Sequence, residues 1–527
     1  MWRSTKLEVG FKSAMSAFDQ LVKSIKALDE QLPLAVLNVS PVSESLRYTN
    51  VFNPTPLPQS AAAVLPSCAQ YLAPMEIVIE FEKSGRWPDD LLAIQKIKLA
   101  FFERLATALM SANPGLKATV IVGDFVLVSD IQDSAKLEII TSQGWAFVAR
   151  IWHEREAFLL DNTIDDKPHI PKHIKKNLPG GADPKERHAA IVAKEIYTRR
   201  FIHAPRHHRA IGALCHRFTA YAGTVRLVKR WLASHWLLGE HISVEVVELL
   251  CASIFLVGSQ TQAAGQKQPA RVPGTKERGF ASVVEMLKGW EWENGLFVPL
   301  YGDEQAEGES SSSAIPSTNG RAGVWKVSTE FDREGHMWTA HGPDAVVARR
   351  IRAVANATWQ ASQKIESESY DVSTLFAHPT NDYDFIIELE PSVLPRYCQN
   401  VKADPTVWSR KGKYANLSNH SSSTSPVRPG FDPAQFLFND LASNYKDTFK
   451  IFHDSYGGDR FGAVWDPTLK EPRPFRVLGG FSSIPKRKDD ESSKEKDKGL
   501  VVLNQEGVLA EIERISTGLI KGITTHV

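Results

Sequence analysis

The chain has 527 residues and a mass of 58.6 kDa, which at roughly 100–200 residues per domain predicts about three domains with cores of their own. Hydrophobic residues make up 43% and charged residues 23%, ordinary globular values that exclude a wholly disordered or collagen-like chain. Lys and Arg number 62 and Asp and Glu 61, a formal charge of +1, so any electrostatic signal for a partner has to be local.

Phe11, Ala14, Met15, Phe18, Leu21, Ile25 and Leu28 recur at helical spacing and predict an amphipathic helix over 11–28. Leu34 to Val39 and Pro74 to Glu82 read as strands, and Leu91 to Met110 as a helix with Pro88 in its first turn. Strands are expected at Thr119 to Val128, Lys136 to Ile140 and Trp145 to Ile151. Residues 1–160 therefore interleave helices and strands in an α/β or α+β layer. From about residue 186 the pattern turns helical, most clearly at Gly223 to Leu238 and Ser243 to Val257. Strands return at Phe385 to Leu389, and Phe449 to His453 with Phe461 to Trp465 read as a hairpin turning at Gly457-Gly458.

Residues 258–279, 302–323 and 409–430 are too poor in apolar side chains to order themselves. Lys486 to Lys498 is almost wholly charged, and its Lys486-Arg487-Lys488 start reads either as a solvated loop or as a nuclear-import patch. The four cysteines, Cys68, Cys215, Cys251 and Cys398, form no C-x-x-C and fit a reducing compartment. The start, Met1-Trp2-Arg3-Ser4-Thr5-Lys6, lacks a signal-peptide core, and the longest apolar stretch, Val244 to Val257, is interrupted by Glu245 and Glu248. A soluble intracellular protein is expected.

The usual catalytic signatures are missing. There is no G-x-x-x-x-G-K-[ST], no G-x-G-x-x-G after a strand and no G-x-S-x-G. His153-Glu154-Arg155-Glu156-Ala157 begins like a zinc-binding H-E-x-x-H and ends in Ala. His203, His207 and His208 have metal-like spacing, but Pro205 intervenes and a packed or basic histidine cluster is the plainer reading. Glu80 and Glu82 share one face of a strand and could hold a divalent metal for nucleotidyl transfer, with Glu138 as a third carboxylate. That chemistry also needs a Gly-Ser nest for the triphosphate upstream. The upstream stretch, Asn38 to Ser45, has no glycine, and the one Gly-Ser pair, Gly258-Ser259, lies elsewhere.

The strongest local charge lies between Lys167 and Arg230, with fifteen basic residues against three acidic ones. Lys172, Lys175, Lys176, Arg199, Arg200, Arg206, Arg209, Arg226, Lys229 and Arg230 are its candidate RNA contacts, through counterion release at phosphates. Docking of an acidic protein is the alternative. Trp231 and Trp236 fit the buried side of a helix better than a base-stacking platform.

Arg226-Leu227-Val228-Lys229-Arg230-Trp231 resembles the substrate-binding domain of poly(A) polymerases and oligoadenylate synthetases, with Lys229 at the position of their phosphate-contacting lysine. Longer stretches resemble the nucleolar RNA-associated protein (Nrap) family of the small-subunit processome. They are Leu46-Arg47-Tyr48, Phe81-Glu82-Lys83-Ser84-Gly85-Arg86-Trp87-Pro88, Ile151-Trp152-His153-Glu154-Arg155-Glu156, Tyr370 to Glu390 and Phe452-His453-Asp454-Ser455-Tyr456-Gly457-Gly458-Asp459. The resemblance implies the C-terminal half of that family's architecture, an α+β multidomain chain. It would hold a degenerate nucleotidyltransferase-like domain (1–185), a helical oligoadenylate-synthetase-like domain (186–365) and a C-terminal α+β domain (366–527). It further implies a nucleolar scaffold without catalytic residues, metal or cofactor, binding pre-ribosomal RNA. The implied partners are U3-containing processome particles, a ribosomal RNA-processing protein and casein kinase two, with no membrane. An active nucleotidyltransferase using Glu80, Glu82 and Lys229 is the alternative.

Overall fold

The computed structural model describes residues 4–58, 60, 65–85, 87–123, 129–165, 184–263, 272–302, 323–340, 342–364, 371–400, 427–477, 480–486 and 500–525. Most of the low-apolar segments and the Lys486-Arg487-Lys488 patch beyond Lys486 lie outside them. The chain divides into two compact units: residues 1–61, 72–229 and 243–359, and residues 62–71, 230–242 and 360–527.

The first unit opens with helix α1 (Ser4–Lys26), followed by strands β1 (Val36–Pro41) and β2 (Pro74–Phe81) and helix α2 (Leu91–Ala112). Strands β3 (Lys117–Val122), β4 (Ala135–Ile140) and β5 (Ala146–Trp152) complete a sheet of order β1-β2-β5-β4-β3. Only β2 and β5 run parallel; every other neighbour is antiparallel. Alternation decides what each face meets. Met75, Ile77, Ile79 and Phe81 pack with Phe147, Ala149 and Ile151 into the core under α1 and α2. On the other face, Val78 and Trp152 pack with residues of helices α3 (Glu154–Ile164) and α4 (Pro184–Tyr197) and with Phe201. Asp90, whose carboxylate accepts from the Ala93 N–H at 2.7 Å, caps α2, so Pro88 precedes that helix instead of opening it.

A single π turn (Thr198–His203) joins α4 to α5 (Ala204–Arg217), followed by α6 (Tyr221–Ser234), α7 (Val244–Ala263) and α8 (Lys276–Gly289). Helix α8 starts inside the stretch expected to be loop, because Thr275 caps it by accepting from the Arg278 N–H. The short parallel pair β6 (Leu296–Phe297) and β7 (Val327–Ser328), the turn of helix α9 (His336–Thr339) and helix α10 (Ala345–Ser362) follow.

The second unit has strand β8 (Phe385–Leu389), helix α11 (Pro433–Asn444) and the expected hairpin of β9 (Phe449–His453) and β10 (Arg460–Trp465). Strands β11 (Arg473–Pro474), β12 (Ser483–Pro485) and β13 (Leu500–Leu503), helix α12 (Gln505–Ile515) and strand β14 (Ile520–Thr525) close it. Its main sheet has the order β14-β8-β10-β9, with Leu437, Phe438 and Leu441 of α11 and Val508 and Ile512 of α12 in the core on one face. The opposite face receives Trp236, which lies against Tyr383 and beside Gly462, and His241, against Phe452. This explains why α6 stops at Ser234 and not at Leu238: Trp236 takes a left-handed φ of 63°, turning its ring into that sheet. No helix among the described residues is long and apolar enough to cross a membrane.

Candidate functional site

The antiparallel pairing of β1 with β2 fixes where a transferase-type site could form. Pro41, at the end of β1, pairs with Ile77, and the next residue, Val42, donates its N–H to the Glu76 carbonyl at 3.1 Å. The segment after β1, where a phosphate nest would be needed, therefore sits beside the start of β2. Glu80 pairs with Asn38, and the Glu82 N–H bonds to the Ala35 carbonyl at 2.9 Å, both toward the other end of the sheet. Glu80 lies four residues beyond Glu76, about 13 Å along the strand. Glu138 is buried on β4, 3.5 Å from Lys136. Sequence spacing missed Glu76, which shares the face of Val78 and Glu80; the signal was the pairing of the two strands. Opposite Val78 on β5 stands Arg150, a cation on that same face.

Arg150 belongs to a buried charge cluster. Asp133 accepts from Lys98 at 3.2 Å, Arg150 at 3.1 Å and Arg200 at 2.9 Å. Lys98 also donates to Glu156 at 2.6 Å, and Gln95 donates to the other Glu156 oxygen at 2.6 Å. Burial opposes ionisation of Asp133, but Lys98, Arg150 and Arg200 outweigh it and hold its carboxyl below the usual range. Glu156 is shifted upward, chiefly by burial, with one cation against it and Asp133 adding repulsion.

A second cluster closes the segment after β1. Glu44 and Arg47 lie on the short helical turn Glu44–Arg47. Glu248, on α7 and wholly buried, accepts from the Arg47 guanidinium at 3.1 Å, from Thr49 at 2.6 Å and from Lys229 at 2.7 Å. His207 on α5 lies 2.7 Å from its other oxygen, and Lys229 also pairs with Glu44. Burial pushes the Glu248 carboxyl up, yet Arg47, Lys229 and the His207 hydrogen bond hold it well below the ordinary carboxylate range.

The candidate RNA contacts fall into three sets. Lys172, Lys175 and Lys176 lie outside the described residues. Arg200 and Lys229 are engaged inside the first unit as above, and Arg230, in the second unit, lies 3.5 Å from Asp454. Lys229 has no exposed surface at all, so the phosphate-contacting lysine position of the resemblance holds a side chain enclosed by carboxylates. Arg199 and Arg209 are exposed, Arg206 stands over the Phe331 ring at 4.2 Å, Arg199 over Trp338 at 5.6 Å and Arg226 over Phe11 at 5.2 Å. Trp231 and Trp236 are buried.

The three histidines do not converge on a metal. His207 is held by Glu248 and by the Tyr301 hydroxyl at 3.1 Å. Burial, then a neighbouring arginine, lowers His203 to about 4 and His208 to about 3. Among the described residues no group of three His, Cys, Asp or Glu is placed to hold a metal ion.

Three family models together span nearly the whole chain: Nrap protein nucleotidyltransferase domain 4 matches residues 3–216, Nrap protein PAP/OAS1-like domain 5 matches 218–378 and Nrap protein domain 6 matches 380–523. The fold is accordingly α+β, with a nucleotidyltransferase-like and a poly(A)-polymerase-like part followed by a further α+β part. The chain is 27% identical over 537 residues to Nucleolar protein 6 of Homo sapiens, covering 98% of this chain and 42% of that protein. It is likewise 27% identical over 516 residues to the U3 small nucleolar RNA-associated protein 22 of Schizosaccharomyces pombe, covering 97% and 41%. The chain thus spans about two fifths of the length of these curated relatives. A crystal structure of the Cid1 poly(U) polymerase aligns with 70% of this chain and 94% of its own at 10% identity, with a TM-score of 0.39.

Proposed function

The chain belongs to the Nrap family, and from that premise we propose that it is a non-catalytic scaffold of pre-ribosomal RNA processing and small-subunit assembly. Its place would be the nucleolus. The partners that fit this reading are pre-ribosomal RNA, the U3-containing processome, a ribosomal RNA-processing protein and casein kinase two. Within it, residues 1–185, 186–365 and 366–527 serve as degenerate transferase-like, helical and C-terminal parts.

The observation that carries the reading is the cluster around Glu248. Where a transferase would grip a triphosphate, Glu44, Arg47, Lys229 and Glu248 neutralise one another in a buried network. Opening it to a nucleotide would strand buried charges, at a cost of about 3–5 kcal/mol for each broken pair. Glu80, Glu82 and Lys229, the trio of the enzymatic alternative, do not converge, since Lys229 meets Glu44 beyond the far end of β1. The exposed Arg199 and Arg209, with Arg206 and the lysines at 172, 175 and 176, are the RNA contacts this reading assigns.

Incubation with labelled nucleoside triphosphates, Mg²⁺ or Mn²⁺ and an RNA primer tests the absence of catalysis. No primer extension is expected; extension abolished by Glu76→Ala or Glu80→Ala would overturn the reading. RNA crosslinking in cells tests the scaffold role, and a chain that crosslinks only to proteins would favour docking of an acidic partner.

A further inference from the structure

Parallel pairing of β2 and β5 brings the ends of two distant stretches together at the carboxyl edge of these strands, with Glu80 beside Trp152. There Lys83, Ser84 and Gly85, following β2, and His153, Glu154, Arg155 and Phe158, at the start of α3, line a cavity of about 600 Å³. Such a volume lies in the range of small-molecule sites. It lies at the opposite end of β2 from Glu76 and the enclosed Lys229.

The lining has two kinds of group. One is aromatic. The Phe158 ring, which lines the cavity, is 52% exposed. His153 is stacked on Trp87 at 4.1 Å and 26°, and Trp87 on Phe101 at 5.6 Å and 19°, so the imidazole is the outer member of an ordered ring stack. Its Nδ1 accepts from the Arg155 N–H at 3.2 Å. Burial, and then the charge of Lys98, lowers its pKa to about 4, so it stands as a neutral flat ring at pH 7. The other kind is cationic. Lys83 meets Glu154 at 2.9 Å and Arg155 meets Asp89, both as solvent-exposed pairs. Exposed pairs of this kind contribute only about 0–1 kcal/mol, so a phosphate can take either cation from its carboxylate at little cost.

Flat rings beside exchangeable cations are the elements that hold single-stranded nucleic acid by base stacking and phosphate contact. We propose that this cavity takes one nucleotide of a single-stranded RNA, with its base against Phe158 and His153 and its phosphate at Lys83 and Arg155. The proposal rests on the RNA-contact reading above and adds a second site, built on stacking, to the basic segment.

The test is binding of the whole chain to a fluorescein-labelled twelve-nucleotide RNA and to the same backbone carrying abasic positions, followed by anisotropy. Phe158→Ala and His153→Ala should weaken binding of the intact RNA about tenfold each and leave the abasic strand unaffected, while Lys83→Glu should weaken both. Phe158→Leu keeps an apolar contact but loses the flat face, so it should behave like Phe158→Ala while melting at the wild-type temperature. Wild-type affinity in both Phe158 variants, with binding still abolished on reversal of Arg199, Arg206 and Arg209, would overturn this site and leave the basic-segment reading intact. Failure of the unmutated chain to bind RNA would remove both. Capture of a ten-residue poly-glutamate peptide in a Phe158-dependent manner, with RNA binding unmoved by Phe158, would likewise reject it in favour of an acidic protein partner.

Discussion

Lys229 and Glu248 face one another at 2.7 Å across α6 and α7, both fully buried and 19 residues apart in sequence. The same carboxylate is shared by Arg47 and His207, so its charge anchors three separate segments of the first unit. Replacing it with an amide in Glu248→Gln would leave two buried cations facing a neutral group. A loss of about 3–5 kcal/mol is expected in urea denaturation. Lys229→Met should cost less, because Arg47 still neutralises Glu248. Equal, sub-kilocalorie effects from both variants would show that the cluster is not a structural anchor.

Acid should destabilise the protein in two stages. His208 and His453 are buried and lowered to about 3, by burial first in each case. Groups with depressed pKa values bind more protons when unfolded, so their contribution is complete above the unfolded histidine value and fades as pH falls below about 6.5. Each should contribute a slope of about 1.4 kcal/mol per pH unit there. Below about 4.5 the depressed carboxyl of Glu248 adds its own loss. Denaturation midpoints from pH 7.5 to 4 would trace this; a flat profile between 6.5 and 5, or no change of slope in His453→Gln, would contradict it.

Charge reversal at Arg199, Arg206 and Arg209 should weaken RNA binding and flatten its salt dependence, removing about 0.7–0.9 from the log–log slope for each phosphate that the protein no longer neutralises. Reversal of Lys172, Lys175 and Lys176 should act in the same way. An unchanged slope would exclude the segment as a phosphate-binding surface.

Gly457 turns the β9–β10 hairpin at a φ of 100°, where a Cβ would stand 2.0 Å from the Arg396 carbonyl oxygen. Gly457→Ala should therefore destabilise the second unit by more than the 1–3 kcal/mol or so of backbone strain alone. Gly522→Ala in β14 meets nothing within 4 Å and has no such φ. It serves as the control, and similar melting of the two variants would sink the argument.

Much of the architecture was legible because it is written in local periods. Phe385 to Leu389 and Phe449 to His453 have the bounds their apolar runs suggested, and α1 and α2 follow their helical spacing. The shortfalls came where a long-range contact overrode the local pattern. Trp236 breaks off α6 to fill a sheet face near Gly462, and Thr275 starts a helix within a stretch that composition marked as loop. The small strands β11, β12 and β13 gain stability from one another and not from a pattern within any of them.

The sequence by itself determined the family, the alternating layers and the lack of a glycine nest after β1, because these depend on residue identity and spacing along one segment. Only the tertiary structure decided that Lys229 is enclosed by carboxylates. Its partner Glu44 is 185 residues away, and no spacing rule joins them. Strand pairing likewise placed Glu76, not Glu80, beside the segment after β1, and brought Lys83 and His153 to one cavity. A charge's role is set by what neutralises it, and that partner is chosen by the register and crossing of elements, not by its neighbours in the chain.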